Sequence, residues 1–489
     1  MARPRRGEKA RAAKAAALFG GRRAASLPPG PLAAPRWDTA FQVEIPDEGT
    51  TGGVAFVATL AGAYAIKSAN DVAEEYFGTR FLAAMGVPVP AVRVLFPHDA
   101  EHAQLLAAVE AVGKQYSRRG DAAGATHVMV HVLGATRKYN GPLLLMELVP
   151  AAVALTGLTA GRAEALLEPS SCPASPPSAR AARARARLEA MGRCWVADGL
   201  LGFRDRFCSR LNYAAYDTAC AAGGSSIEEK KVFLTGNCDN VLLTDDGAPL
   251  RDRHGSPLGA AGFAAIDSHV KLIRGADGDG AKAKDARESL EALMRRELAA
   301  LLAEADDAAK SGGLALAPSR SLDWLRFTVK AWSGHTLSDE ALAAARIGAL
   351  RGVAAVRGAV AWGRAELSAV QQGVESGDAV VGDARWRAAM ARIDLDALVE
   401  AGRAVERLVT EGGHEDLLQG LPPLPPPPAS GAKSAASGMG AAMVAEAELI
   451  GAQPQLWAAL AADLRKALVD ERVHGITPGD HSMEWPGWQ

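Results

Sequence analysis

Asn240 and Asp267 stand at the two ends of a pattern that would let hard oxygen ligands meet. Asn240 lies in Gly236-Asn237-Cys238-Asp239-Asn240-Val241-Leu242-Leu243, and Asp267 in Phe263-Ala264-Ala265-Ile266-Asp267-Ser268. The apolar runs 241–243 and 263–266 are short and bounded by turn formers, so they read as buried strands. Between them, residues 244–262 open on Asp245-Asp246-Gly247 and are dense in Gly, Asp and Arg, which makes a hairpin the expectation. In an antiparallel pair the residue entering one strand lies roughly 5 Å from the residue leaving the other. An amide and a carboxylate oxygen at a hairpin mouth suit Mg²⁺, which also takes phosphate oxygens. Taken singly, each residue is better read as an Asx-capped turn, and the case for chemistry depends on partners elsewhere in the chain.

Partners for such a site come from the first third of the chain. Phe41, Val43 and Ile45 alternate with polar residues as a first strand, residues 54–60 form a second, and Tyr64-Ala65-Ile66-Lys67 a third. The loop between the first two contains Gly49, Thr50, Thr51, Gly52 and Gly53, small enough for backbone N–H groups to approach phosphate oxygens. Period-2 alternation puts Ala65 and Lys67 on one face, as in the Val-Ala-Ile-Lys strand of kinases, where a small residue lies under adenine and the Lys reaches the phosphates. A lone Lys ending a strand is ordinarily solvated. Asp71 begins a helix to about Met85, with Glu74 read as its capping-box partner and Glu75 left to pair with Lys67. His127 and His131 share a face of an expected strand, more in the manner of packing than of metal binding. Leu143 to Val149 is an apolar strand ending at Pro150, and in kinase folds such a strand leads into a segment whose backbone meets adenine.

The 489 residues have room for two or three domains or one two-lobed enzyme with extensions. Net charge is −2, giving no reason to expect nucleic acid or an anionic membrane as partner. Five cysteines without a Cys-x-x-Cys pair fit a reducing compartment and free thiols. The longest apolar stretch, 341–370, is interrupted by Arg346, Arg351, Arg357 and Arg364, so no membrane span is expected. The abundant Ala, Gly and Arg carry little information by themselves, and the Ala/Arg stretch 179–193 reads as a helix with a solvated face. Cytoplasmic location is expected, or an organelle if the basic arm 1–36 is a transit peptide rather than a disordered arm. The expected divisions are that arm, an N-terminal lobe 37–150, a C-terminal lobe 151–415 with an enlarged helical part, a Pro-rich linker 416–440, and a helix and tail 441–489.

Several stretches, taken in order, resemble the actin-fragmin kinase family of atypical protein kinases. They include Ala55-Phe56-Val57, Ala65-Ile66-Lys67, Glu75-Tyr76-Phe77, Val87-Pro88-Val89-Pro90-Ala91-Val92-Arg93-Val94-Leu95 and Leu145-Met146-Glu147-Leu148. The helix 191–201 running into Gly202-Phe203-Arg204-Asp205-Arg206-Phe207, and the two runs holding Asn240 and Asp267, complete the set. The resemblance implies an α+β, bilobal protein-kinase-like fold, with a small antiparallel N-terminal sheet, one helix, and a mostly helical C-terminal lobe. It implies ATP and Mg²⁺ as cofactors and transfer of a phosphoryl group to a Ser or Thr of a protein substrate, actin being a candidate through the family alone. Lys67 would contact the α- and β-phosphates and pair with Glu75. Asp205 would accept the proton of the acceptor hydroxyl, and Asn240 and Asp267 would hold the metal. Ala65, Met146 and the backbone of Glu147, Leu148 and Val149 would meet adenine. The chain departs from the family in the long interval from Asp205 to Asn240 and in lacking kelch repeats and Asp-Phe-Gly. A pseudokinase-like binding module and a small-molecule kinase remain open alternatives, and oligomeric state is not legible.

Overall fold

The structure is a computed structural model that describes residues 30, 32–33, 35–44, 54–68, 71–134, 136, 141–149, 152–169, 179–203, 206–207, 240–244, 262–266, 268, 270, 272, 293–311, 314, 319–375 and 384–421. Strands β1 (Gln42–Glu44), β2 (Val54–Thr59) and β3 (Gly62–Lys67) are followed by helix α1 (Val72–Ala84), β4 (Val92–Leu95), α2 (Ala100–Arg118), the short α3 (Ala122–Thr126) and β5 (Leu143–Glu147). All neighbours in this sheet are antiparallel, in the order β1-β2-β3-β5-β4. Alternation decides its faces, as expected for a period of 2. Val57, Tyr64, Ile66, Leu143 and Leu145 face α2, whose His102, Leu105, Val109 and Val112 recur at helical spacing. Ala63 and Ala58 look the other way.

The rest of the described residues are mostly helical. A second sheet, β6 (Ala152–Ala154), β7 (Val241–Thr244) and β8 (Phe263–Ala265), lies among α4 (Ala160–Leu167), α5 (Ala179–Leu200), α6 (Ala299–Lys310), α7 (Asp323–Ser333), α8 (Asp339–Glu375), α9 (Ala384–Arg392), α10 (Leu395–Glu411) and α11 (Glu415–Gln419). α5 and α8 cross with almost no side chain between them. A Cβ on Gly192 would overlap Ala345 O and lie 2.7 Å from Ala349 N, and one on Gly348 would overlap Glu189 O. The Gly and Ala content that looked uninformative in the sequence is, along this seam, what lets two backbones touch. The core of this half includes α1: Phe77, Phe81, Leu188, Trp195, Leu243 and Leu398 belong to one cluster. No helix among the described residues is long and apolar enough to cross a membrane.

Four expectations need correcting. The stretch from His127 to Gly134 is a wide-turn helix rather than a strand. Its β-branched run favours strand locally, but Val128, Val132 and Leu133 gain burial against α2, and packing overrides that preference. Asp71 makes no side-chain cap bond, and Glu74, its supposed capping partner, is buried and bonded to Arg392 instead. The Ala/Arg helix is not simply a solvated face, because Arg187 is fully buried and donates to Leu166 O and Thr244 O, each at 3.0 Å. Finally, the one helix expected with the N-terminal sheet is joined by α2, which covers the sheet's other face, and by α3; further on, α9 and α10 are separated at Ile393-Asp394, where Asp394 caps α10 by accepting from Ala397 N at 3.1 Å. The linker and tail expected beyond residue 421 lie outside the described residues.

Candidate active site

Lys67 ends β3 opposite Val54 of β2 and Leu144 of β5. It is only 7% exposed, so the solvated reading of a strand-terminal lysine does not hold. Its Nζ lies 2.6 Å from Glu75 Oε2, on the first turn of α1, and Glu75 is itself 1% exposed. Two charges so desolvated persist only as a pair, and removing one leaves the other uncompensated. Burial pushes the neighbouring Glu74 carboxyl above its ordinary value; its own backbone N–H and Arg392 draw it partway back.

The expected hairpin is present. Val241 faces Ala265, Leu242 faces Ala264 and Leu243 faces Phe263; Ile266 N donates to Asn240 O at 3.0 Å. Asn240 is thus at the mouth of the ladder and 6% exposed. Gly262 turns the chain with φ +58°, a conformation L side chains rarely adopt, and Thr244 N donates to its carbonyl at 2.9 Å. Ala265 N donates to Pro88 O at 3.0 Å, tying the hairpin to the loop that follows α1.

Arg206, which sequence reasoning did not single out, joins these parts. It is fully buried and ion-pairs with Asp198 on α5. Its Nε donates to Asn240 O at 3.3 Å; its Nη2 donates to Ile266 O at 2.8 Å and Ser268 Oγ at 2.7 Å. The guanidinium also lies 5.0 Å from the centre of the Phe203 ring. The five donors of a planar fork suit it to bind carboxylate and carbonyl oxygens on three segments at once. The only sequence signal for it was its place beside Asp205. Cys194, fully buried beside the pair, has its thiol pushed well above the ordinary value, chiefly by burial.

Of the expected cofactor contacts, Ala65 is buried opposite Met146 and Tyr64 lies opposite Glu147. Glu147 N donates to Ala91 O at 2.9 Å, so that group is committed to the sheet and is not offered to a ligand. Glu147, Leu148 and Val149 line a small hollow with Val89, Pro90, Phe263 and Ala264, between the exit of β5 and β8. Gly49, Thr50, Thr51, Gly52, Gly53, Asp205 and Asp267 lie outside the described residues. Among the described residues no group of three or more His, Cys, Asp or Glu is gathered to hold a metal.

An antiparallel sheet whose Lys is ion-paired to a Glu of the following helix is an arrangement that protein kinases use. Residues 33–150 match the family model described as "Actin-fragmin kinase, catalytic", about a quarter of the chain. The resemblance drawn from the motifs is thereby supported, and with it a kinase-like enzyme. No curated protein matches the chain.

Proposed function

We infer that this protein is an ATP- and Mg²⁺-dependent phosphotransferase with a bilobal protein-kinase-like fold, transferring the γ-phosphoryl group to a Ser or Thr hydroxyl of a protein. The observation that carries the reading is the buried Lys67–Glu75 pair, 2.6 Å long and inside the stretch that matches the family model. In this reading Lys67 meets the α- and β-phosphates, and Asp205 orients the acceptor hydroxyl and takes its proton. Asn240 and Asp267 hold Mg²⁺; Gly49 to Gly53 cover the phosphates; Ala65, Met146 and the backbone of Leu148 and Val149 meet adenine. The donors fit such a metal: amide and carboxylate oxygens are hard ligands, and Asn240 is placed at the hairpin mouth. When bound, the metal offsets charge on the phosphate oxygens. The protein's own contribution is positioning and charge, the terms that dominate phosphoryl transfer. The flanks of the two acidic positions, Arg206 on one side and Ile266 with Ser268 on the other, share one hydrogen-bond network, which supports their acting together.

A thermal-shift titration with ATP, with and without Mg²⁺, tests this. Wild-type protein is expected to gain about 2.7 kcal/mol at ATP a hundredfold above its Kd, only with Mg²⁺ present, and Asp267→Ala to lose the Mg²⁺ dependence. No Mg²⁺-dependent shift and no transfer to any protein, itself included, would overturn the reading. The long interval between Asp205 and Asn240 favours a second reading, nucleotide binding without transfer, under which Asp205→Asn leaves partner binding untouched.

A further inference from the structure

The Lys67–Glu75 pair requires that α1 be held at one rotation about its axis, and the structure shows what holds it. Consecutive helical residues project about 100° apart. Glu75 points to β3, while Glu74, 3% exposed, points away and meets Arg392 Nη2 at 2.9 Å, across 318 positions of sequence. Two adjacent carboxylates anchored in different directions fix a helix against rolling, which one alone does not.

Arg392 ends α9, and the rest of that helix docks on the same surface. Trp386 meets Tyr76 edge-on at 5.3 Å and Phe96 at 5.7 Å. The chain leaving β8 runs between the two: Val270 N donates to Glu74 O at 3.3 Å, and Asp394 N donates to Leu272 O at 2.8 Å. The α9–α10 junction therefore grips both the helix carrying Glu75 and the segment just past Asp267. A contact of purely local use would touch one of them.

We propose that Arg392 is a positioning residue, which acts through Glu74 to set α1 so that Glu75 meets Lys67, making α9 a built-in activator of the site. The catalytic part of this rests on the phosphotransferase reading, and the test separates the two. Full-length wild type, Arg392→Ala, Arg392→Lys and Glu74→Gln are compared by amide hydrogen exchange of residues 72–77, by melting temperature, and by Mg-ATP turnover followed with γ-labelled ATP. Arg392 is about half exposed, so the pair is worth only part of a buried one. Arg392→Ala is expected to speed exchange in 72–77 about fivefold and lower kcat about fivefold, with the melting temperature within about 2 °C of wild type. Arg392→Lys keeps most of both, and Glu74→Gln follows Arg392→Ala. Unchanged exchange and kcat in Arg392→Ala overturn the proposal. So does loss of kcat that merely tracks melting temperature and is not rescued by Lys. If wild type turns over no ATP, the phosphotransferase reading fails, while the exchange comparison still decides whether Arg392 sets α1.

Discussion

Replacing Arg206 by Met, an apolar side chain of comparable length, tests whether this guanidinium holds the candidate site together. Both members of the Arg206–Asp198 pair are buried, at 0% and 4% exposure. Removing one partner of such a pair costs about 3–5 kcal/mol, because the remaining charge is left in a medium that cannot solvate it. The substitution also leaves Ile266 O and Ser268 Oγ without this donor, at about 1–3 kcal/mol for each that finds no water, while Asn240 O keeps the bond from Ile266 N. The pair term alone is a large share of an ordinary domain's stability of about 5–15 kcal/mol. It corresponds to a fall in melting temperature of about 6–20 °C at 2–4 °C per kcal/mol. The assay is urea and thermal unfolding of Arg206→Met, Asp198→Asn and the double variant. Asp198→Asn should cost less in the Arg206→Met background than alone, because the stranded carboxylate is then gone. A cost below about 1 kcal/mol for Arg206→Met, or additive single costs, would refute the argument that the pair is tightly coupled.

Two further outcomes follow from packing and burial. Gly348→Ala forces a methyl group into Glu189 O, and backbone cannot yield as a side-chain tip does, so the expected loss is about 1–3 kcal/mol by denaturant titration, whereas Gly358→Ala, with open space around it, should be neutral or slightly stabilising. Burial holds the His102 imidazole below its ordinary value of 6.5, with Asp99 opposing. The unfolded chain therefore binds the proton first, and stability falls as pH drops through and below 6.5 toward the lowered folded value. His102→Leu should flatten that part of the stability–pH curve measured by urea midpoint, and an unchanged slope would sink the assignment.

The strands β1 to β3 and the β7–β8 hairpin were legible because alternation and turn residues act within a few positions. The Lys67–Glu75 pair followed from the same logic, since a strand and the next helix are neighbours in sequence. Buried arginines were not legible. Apart from the Asp198 carboxylate eight positions before Arg206, Arg187 and Arg206 donate to carbonyl and hydroxyl oxygens 21 to 62 residues away, and nothing in the local sequence says those oxygens will converge. The α5–α8 seam was hidden for another reason: glycine and alanine look alike whether they reflect composition or a close backbone approach. The wide helix at 127–134 was misread because its β-branched residues speak for a strand until α2 offers them a surface.

The tie between Glu74 and Arg392 has a consequence for biosynthesis. A ribosome adding about 5–20 residues per second needs about 16–64 s to travel the 318 positions from one partner to the other. Through that interval α1 emerges with its apolar side, Phe77 among it, waiting for Trp362, and with the Glu74 carboxylate uncompensated. The stretch 33–150, recognisable as a unit by comparison, holds its own core between the sheet and α2, but the outer face of α1 stays uncovered until the chain has been made past Arg392.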